Sequence, residues 1–279
     1  MTYAATPGQP GYDADAALVT AELVHFPQAL GDSIVAAGIG LVACRGNVTD
    51  FAPQLHGVQP RNWPAGSTWD IVPGAYIPEL HKVVIATQPT PGGGFHVPVY
   101  GELEGSRSIV IHESMHAYDY EDLDNKKSSN SAFLAARQAD FALLGAYFQY
   151  PNGGAEETFA ESAAMHFGRD QSTANAWPTL AQYWAAYAAG HPPPVIAATA
   201  MAAAAAAQAA LPHDDSIGHA VLHDSGVLSL NLTAHGDNGE IGHARLTYAP
   251  NHPDYDAVAQ HVTAGAQTAS GNFVVKPFR

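Results

Sequence analysis

The segment Ser108-Ile-Val-Ile-His-Glu-Ser-Met-His116 constrains this chain more than any other. On a helix, residues four apart lie on one face, one turn from each other. His112 and His116 therefore present two imidazoles to a single point, with Glu113 beside them. Two histidines at that spacing can hold one metal ion, and the adjacent glutamate can take a proton from a water molecule there. Ile109–Ile111 make the start of the segment apolar enough to be buried, and the spacing predicts a helix over 106–122.

A catalytic zinc takes three protein ligands and keeps a fourth position open. The third ligand is sought on the next acidic helix, predicted over 155–168. There Glu157 and Glu161 share a face, so one carboxylate can bind the metal while the other accepts the spare N–H of a ligating histidine. Glu156 competes, but its neighbour one turn on is Ala160. Asp119, three residues after His116, is a further candidate for holding a histidine. Phe159, Ala160, Ala163, Ala164 and Met165 give this helix a buried character.

His-Glu-Ser-Met-His-Ala-Tyr-Asp at 112–119, followed by Tyr150 and by Glu157-Thr-Phe-Ala-Glu161, resembles the zinc peptidase domain of anthrax lethal factor and the clostridial Pro-Pro endopeptidases. These are gluzincins. The resemblance covers about 105–168 and is faint over 30–100. It implies an α+β, zincin-like domain with one catalytic Zn2+ on His112, His116 and Glu157, Glu113 as general base and Glu161 supporting a ligand. It also implies that Tyr150, seven residues before Glu157, contributes to an oxyanion site. A peptide or protein substrate and a secreted location follow from the same resemblance, although Met1–Asp15 has neither the basic nor the apolar region of a signal peptide.

The rest of the chain organises around that motif. Residues 1–12 read as a flexible tail and 13–190 as the zinc peptidase domain. Residues 191–211, opening on His191-Pro-Pro-Pro194 and running into polyalanine, read as a helical linker. Residues 212–279 read as a small β-rich domain. Within the first domain the patterns predict helices over 13–30, 131–148 and 172–189, and strands over 39–44 and 81–87. The 81–87 strand is a candidate edge for pairing with an extended peptide. In the tail, 217–223, 226–232 and 241–248 alternate as strands.

Acidic residues outnumber basic ones 26 to 11, for a net charge of -15, which argues against nucleic-acid and anionic-membrane partners. Cys44 is the single cysteine, so neither an intramolecular disulfide nor a cysteine-rich metal site is available. His213, His219, His223, His235 and His243 lack a matching carboxylate and read as strand-face residues without a ligand role. Trp177 and Trp184, seven apart, read as packing residues. Three functions are compatible with the motif: an endopeptidase, another zinc hydrolase, or a binding module with a non-catalytic zinc. Glu113 speaks against the last, because a structural zinc needs no base.

Overall fold

A computed structural model of the chain describes residues 12–122, 124, 126–149, 154–169, 175–191, 215–265, 267 and 272–278. Residues 1–11 of the expected tail, most of the linker, His213 and Tyr150 lie outside them. The chain opens with α1 (Tyr12–Ala21) and α2 (Gln28–Ala36), where the apolar spacing predicts one helix. A turn over 22–26 separates the two helices, and Pro27 then sits at the N-cap of α2 in an extended conformation. Strand β1 (Gly40–Arg45) and the short α3 (Val48–Phe51) lead into an irregular stretch, then β2 (Gly74–Ile77), β3 (Lys82–Pro89) and β4 (Phe95–His96). The motif helix is α4 (Ile109–Tyr120). After it come α5 (Ser131–Ala139), α6 (Ala146–Gln149), α7 (Gly154–Phe167) and α8 (Pro178–Ala188). The predicted helix over 131–148 is thus broken: Asp140 leaves helical geometry (φ -90°, ψ 3°), and its carboxylate accepts the N–H groups of Thr179 and Leu180 at the start of α8. The tail adds β5 (Gly218–Leu222), β6 (Leu228–His235), β7 (Ile241–Tyr248), α9 (Tyr255–Thr263) and β8 (Phe273–Val275).

The strands form one sheet in the order β1-β3-β2-β7-β6-β5-β8, with β4 on the end of β3. Strand β1 runs parallel to β3, and the remaining pairs are antiparallel. Two corrections follow. The 81–87 strand is interior, flanked by β1 and β2, so it offers no free edge. The boundary expected near 212 falls between strands of this same sheet, because β2 pairs with β7.

Alternation along each strand sorts the core into two layers. Leu41, Ala43, Val83, Ile85 and Tyr76 face α1, α2, α4, α7 and α8. Val42, Cys44, Val84, Ala86, Ala75 and Ile77 face the other way, against α3, Trp63, Trp69, α9 and the apolar faces of β5–β8. All four tryptophans are buried, so each packs the core rather than lining an open groove. The same alternation decides the tail. Leu228, Leu230, Leu232 and Ala234 enter the second layer, which turns Ser229, Asn231, Thr233 and His235 toward the helical side.

Candidate metal centre

Helix α4 is buried from Ile109 to Asp119, held between the sheet and α7. Strand β2 runs directly beside it: a Cβ placed on Gly74 would meet Ile109 Cδ1 at 2.6 Å and Glu113 Cγ at 3.2 Å. The absence of a side chain at Gly74 is what permits this approach.

On that helix the Nε2 atoms of His112 and His116 lie 3.0 Å apart. Glu157, in the first turn of α7, brings its carboxylate to 3.5 Å from His112 Nε2 and 3.7 Å from His116 Nε2. Glu161 stands one turn further on. Its Oε2 lies 3.0 Å from His112 Nδ1, and its Oε1 accepts the Arg107 N–H at 3.1 Å. Glu161 therefore fixes the ring of His112 so that Nε2 points inward. Glu156 faces elsewhere, accepting from Tyr120 Oη and Lys126 Nζ, both at 2.6 Å. Asp119 does not reach a histidine. Its two oxygens accept the N–H and the hydroxyl of Ser128, both at 2.7 Å, and so pin the turn after α4.

The tail supplies a residue that the sequence reading assigns to an inert strand face. His243 of β7 is buried, with Nδ1 2.9 Å from Glu113 Oε1 and Nε2 2.9 Å from Glu157 Oε2. Its ring stacks on His116 with centroids 5.0 Å apart and a 10° interplanar angle. Thr233, opposite His243 on β6, has its hydroxyl 3.3 Å from Glu157 Oε1 and is hydrogen-bonded to Tyr147 Oη. Ile-Gly-His-Ala occurs at both 217–220 and 241–244, and the first copy puts His219 on the same wall, 2.9 Å from Asn231 Nδ2. His243 lies two residues after Ile241, which enters the helix-side core, so both face the same way.

One ligand atom from each of His112, His116, Glu157 and His243 lies within 4.8 Å of the others. Two imidazole nitrogens 3.0 Å apart cannot both carry inward protons without repulsion. Glu113 Oε2 is buried with no hydrogen-bond partner among the described residues. Burial opposes the charge on Glu157, yet the positive character of His243 and His116 outweighs it and holds the carboxyl well below its usual range. Burial and His243 both push His112 down, but Glu157 and Glu161 prevail and lift it to about 9. A donor set of imidazoles and carboxylates that converges in this way fits a divalent cation such as zinc. The adjoining cavity, lined by Glu104, Tyr147, Phe148, Asn231 and Leu232 among others, has a volume of about 30 Å3.

An α+β fold with an HExxH helix packed beneath a sheet and a second helix delivering a glutamate defines a zincin-like protein. The family model for anthrax toxin lethal factor, N- and C-terminal domain, matches residues 10–176, and the chain belongs to that family. Among solved structures it is similar to the PRO-PRO endopeptidase PPEP-2 from Paenibacillus alvei, with a TM-score of 0.51 and 23% identity over 66% of this chain and 96% of that one. A search of curated proteins finds no match.

Proposed function

We propose that this chain is a single-zinc endopeptidase of the lethal factor type, with the metal on His112, His116 and Glu157. The observation that carries the reading is the convergence of these three side chains, from two packed helices, beside the buried carboxylate of Glu113. The family and the endopeptidase named for the similar structure support it. Zinc, when bound, supplies a Lewis acid that polarises a carbonyl and makes water acidic near neutral pH. Glu113 accepts the proton of the attacking water at a carboxylate oxygen and returns it to the leaving amine. Glu161 keeps His112 in the tautomer whose Nε2 faces inward. Tyr150, by the family spacing, donates its hydroxyl to the oxyanion of the tetrahedral intermediate. The substrate is a peptide or protein, and the net charge of -15 argues against nucleic acid. Secretion belongs to the same reading, on family resemblance alone.

Elemental analysis of protein purified without added metal should give one zinc per chain. Glu113→Gln should keep that zinc and lose peptide cleavage, whereas Glu157→Ala should release it. A chain without metal, whose activity zinc does not restore, would sink the reading.

A further inference from the structure

Pairing with a strand edge is one way for an extended peptide to bind beside the motif helix. Strand β2 is the strand that borders Glu113, and its inner edge is occupied by β3. Its outer edge is occupied too. Strand β7 of the same chain runs antiparallel along it, with Gly74 opposite His243, Ala75 opposite Gly242 and Tyr76 opposite Ile241. The residue of β7 that comes level with the base is His243. One ring nitrogen of His243 engages Glu113, and the other reaches Glu157. His112, Glu113, His116, Glu157 and His243 are all 8% exposed or less. The cavity of about 30 Å3 beside them has room for roughly two water molecules and none for a peptide.

We infer that the chain carries its own inhibitor: β7 occupies the place of an extended substrate along β2, and His243 is a fourth protein ligand that closes the metal position. The inference rests on the proposed zinc site and concerns its regulation. A catalytic zinc keeps one position open, whereas four protein ligands give a closed shell. With His243 in place no position is left for water or carbonyl, and one of the two carboxylate oxygens of Glu113 is engaged by the same ring. Activity then requires β7 to leave β2, so the peptidase is latent until the tail is displaced or cut away. Glu113 separates this state from a purely structural zinc, because a structural site has no use for a buried carboxylate beside its ligands.

The test uses the full chain with cobalt in place of zinc, so that the visible spectrum reports ligand changes. Acetohydroxamate is the probe, since it needs a free position on the metal. Two variants open the site by different routes. His243→Ala removes the fourth ligand. Gly242→Val leaves every site residue intact but forces β7 away, because a Cβ at 242 would stand 2.6 Å from the Gly74 carbonyl oxygen and 2.9 Å from Val72 Cγ1. If the closed form holds nine-tenths of the population or more, each variant should bind acetohydroxamate on the order of tenfold more tightly than the parent. Each should also cleave a mixed-sequence quenched-fluorescence peptide library faster. Thermal unfolding checks both folds, and if Gly242→Val does not fold, His243→Ala decides. Equal acetohydroxamate affinity in parent and variants, or slower cleavage by His243→Ala, overturns the inference and leaves the zinc site standing. A parent that holds neither zinc nor cobalt overturns the site and this inference together.

Discussion

The proposed metal centre gives each of its residues a separable role, and substitution should separate them. Glu161 touches His112 and a backbone N–H, so Glu161→Gln should weaken zinc affinity about 10- to 100-fold. Competition with a chelator of known affinity measures this, and unchanged affinity would remove Glu161 from the support of His112. Tyr147 Oη bonds Thr233, which in turn reaches Glu157, and burial foremost, with Glu157 adding, raises its pKa well above the usual value, so the group stays protonated. Tyr147→Phe should act first on how firmly Glu157 is held, and thus on zinc retention. Tyr150→Phe should instead lower kcat and kcat/KM together by on the order of 100- to 1000-fold, because an oxyanion donor acts only in the transition state. Kinetics of both variants, run in the parent and in the His243→Ala chain, assign the donor. A Tyr150→Phe enzyme within about threefold of its background, a difference below 1 kcal/mol, would pass the role to another group.

Elements hold these residues in place, and one loop does so with a titratable anchor. Asp70, in the turn Trp69–Ile71, accepts from Thr49 Oγ1 and Thr68 Oγ1, both at 2.7 Å, and from the Gly57 N–H at 3.0 Å, with His56 Nδ1 at 2.6 Å. Burial alone would raise its pKa, but these hydrogen bonds outweigh it and hold the carboxyl far below its ordinary range. A depressed carboxyl stabilises the fold above its unfolded pKa of about 3.9, and that stability is lost as pH falls through the folded value. Asp70→Asn should therefore destabilise by about 2 kcal/mol at pH 7, and the gap to the parent should narrow below about pH 4. Urea midpoints at pH 7 and pH 3 measure it, and a gap that does not change with pH would exclude the ionised Asp70 as the anchor. The same elements show what a sequence reading can reach. Helix α4 was legible because two histidines four apart, the glutamate beside the first and an apolar lead all fall within nine residues, 108–116. Glu157 and Glu161 were legible for the same reason. His243 was not. In β6, Leu-Ser-Leu-Asn-Leu-Thr-Ala-His reads as one apolar and one solvated face, and nothing local reveals that α6 and α7 cover the polar one. That cover comes from contacts such as Thr233 to Glu157, 76 residues apart, which no spacing rule spans.

At the scale of the whole molecule, two observations bear on the tail in opposite directions. The family model ends at residue 176, before the tail strands β5–β8 begin. Yet here β7 extends the sheet from β2, and Trp63 donates its indole N–H to the Thr233 carbonyl at 2.8 Å. Removing β5–β8 would open the edge of β2 and uncover Ala75, Ile77, Trp63 and Trp69 in the second core layer. An uncovered apolar layer costs about 25 cal/mol per Å2, which lowers stability and solubility without undoing the helix-side layer that holds the site. A chain ending at Ala189 should therefore fold with its helices intact, unfold at a lower temperature than the parent and bind one zinc through His112, His116 and Glu157. Relieved of His243, it should also cleave the peptide library faster than the full chain. Circular dichroism, thermal melts, zinc content and cleavage rate on the same preparation test all four outcomes. A truncated chain that is soluble and zinc-loaded but inert would give the opposite result: Thr233 and His243 would then complete the active site rather than close it, and the tail would be part of the enzyme.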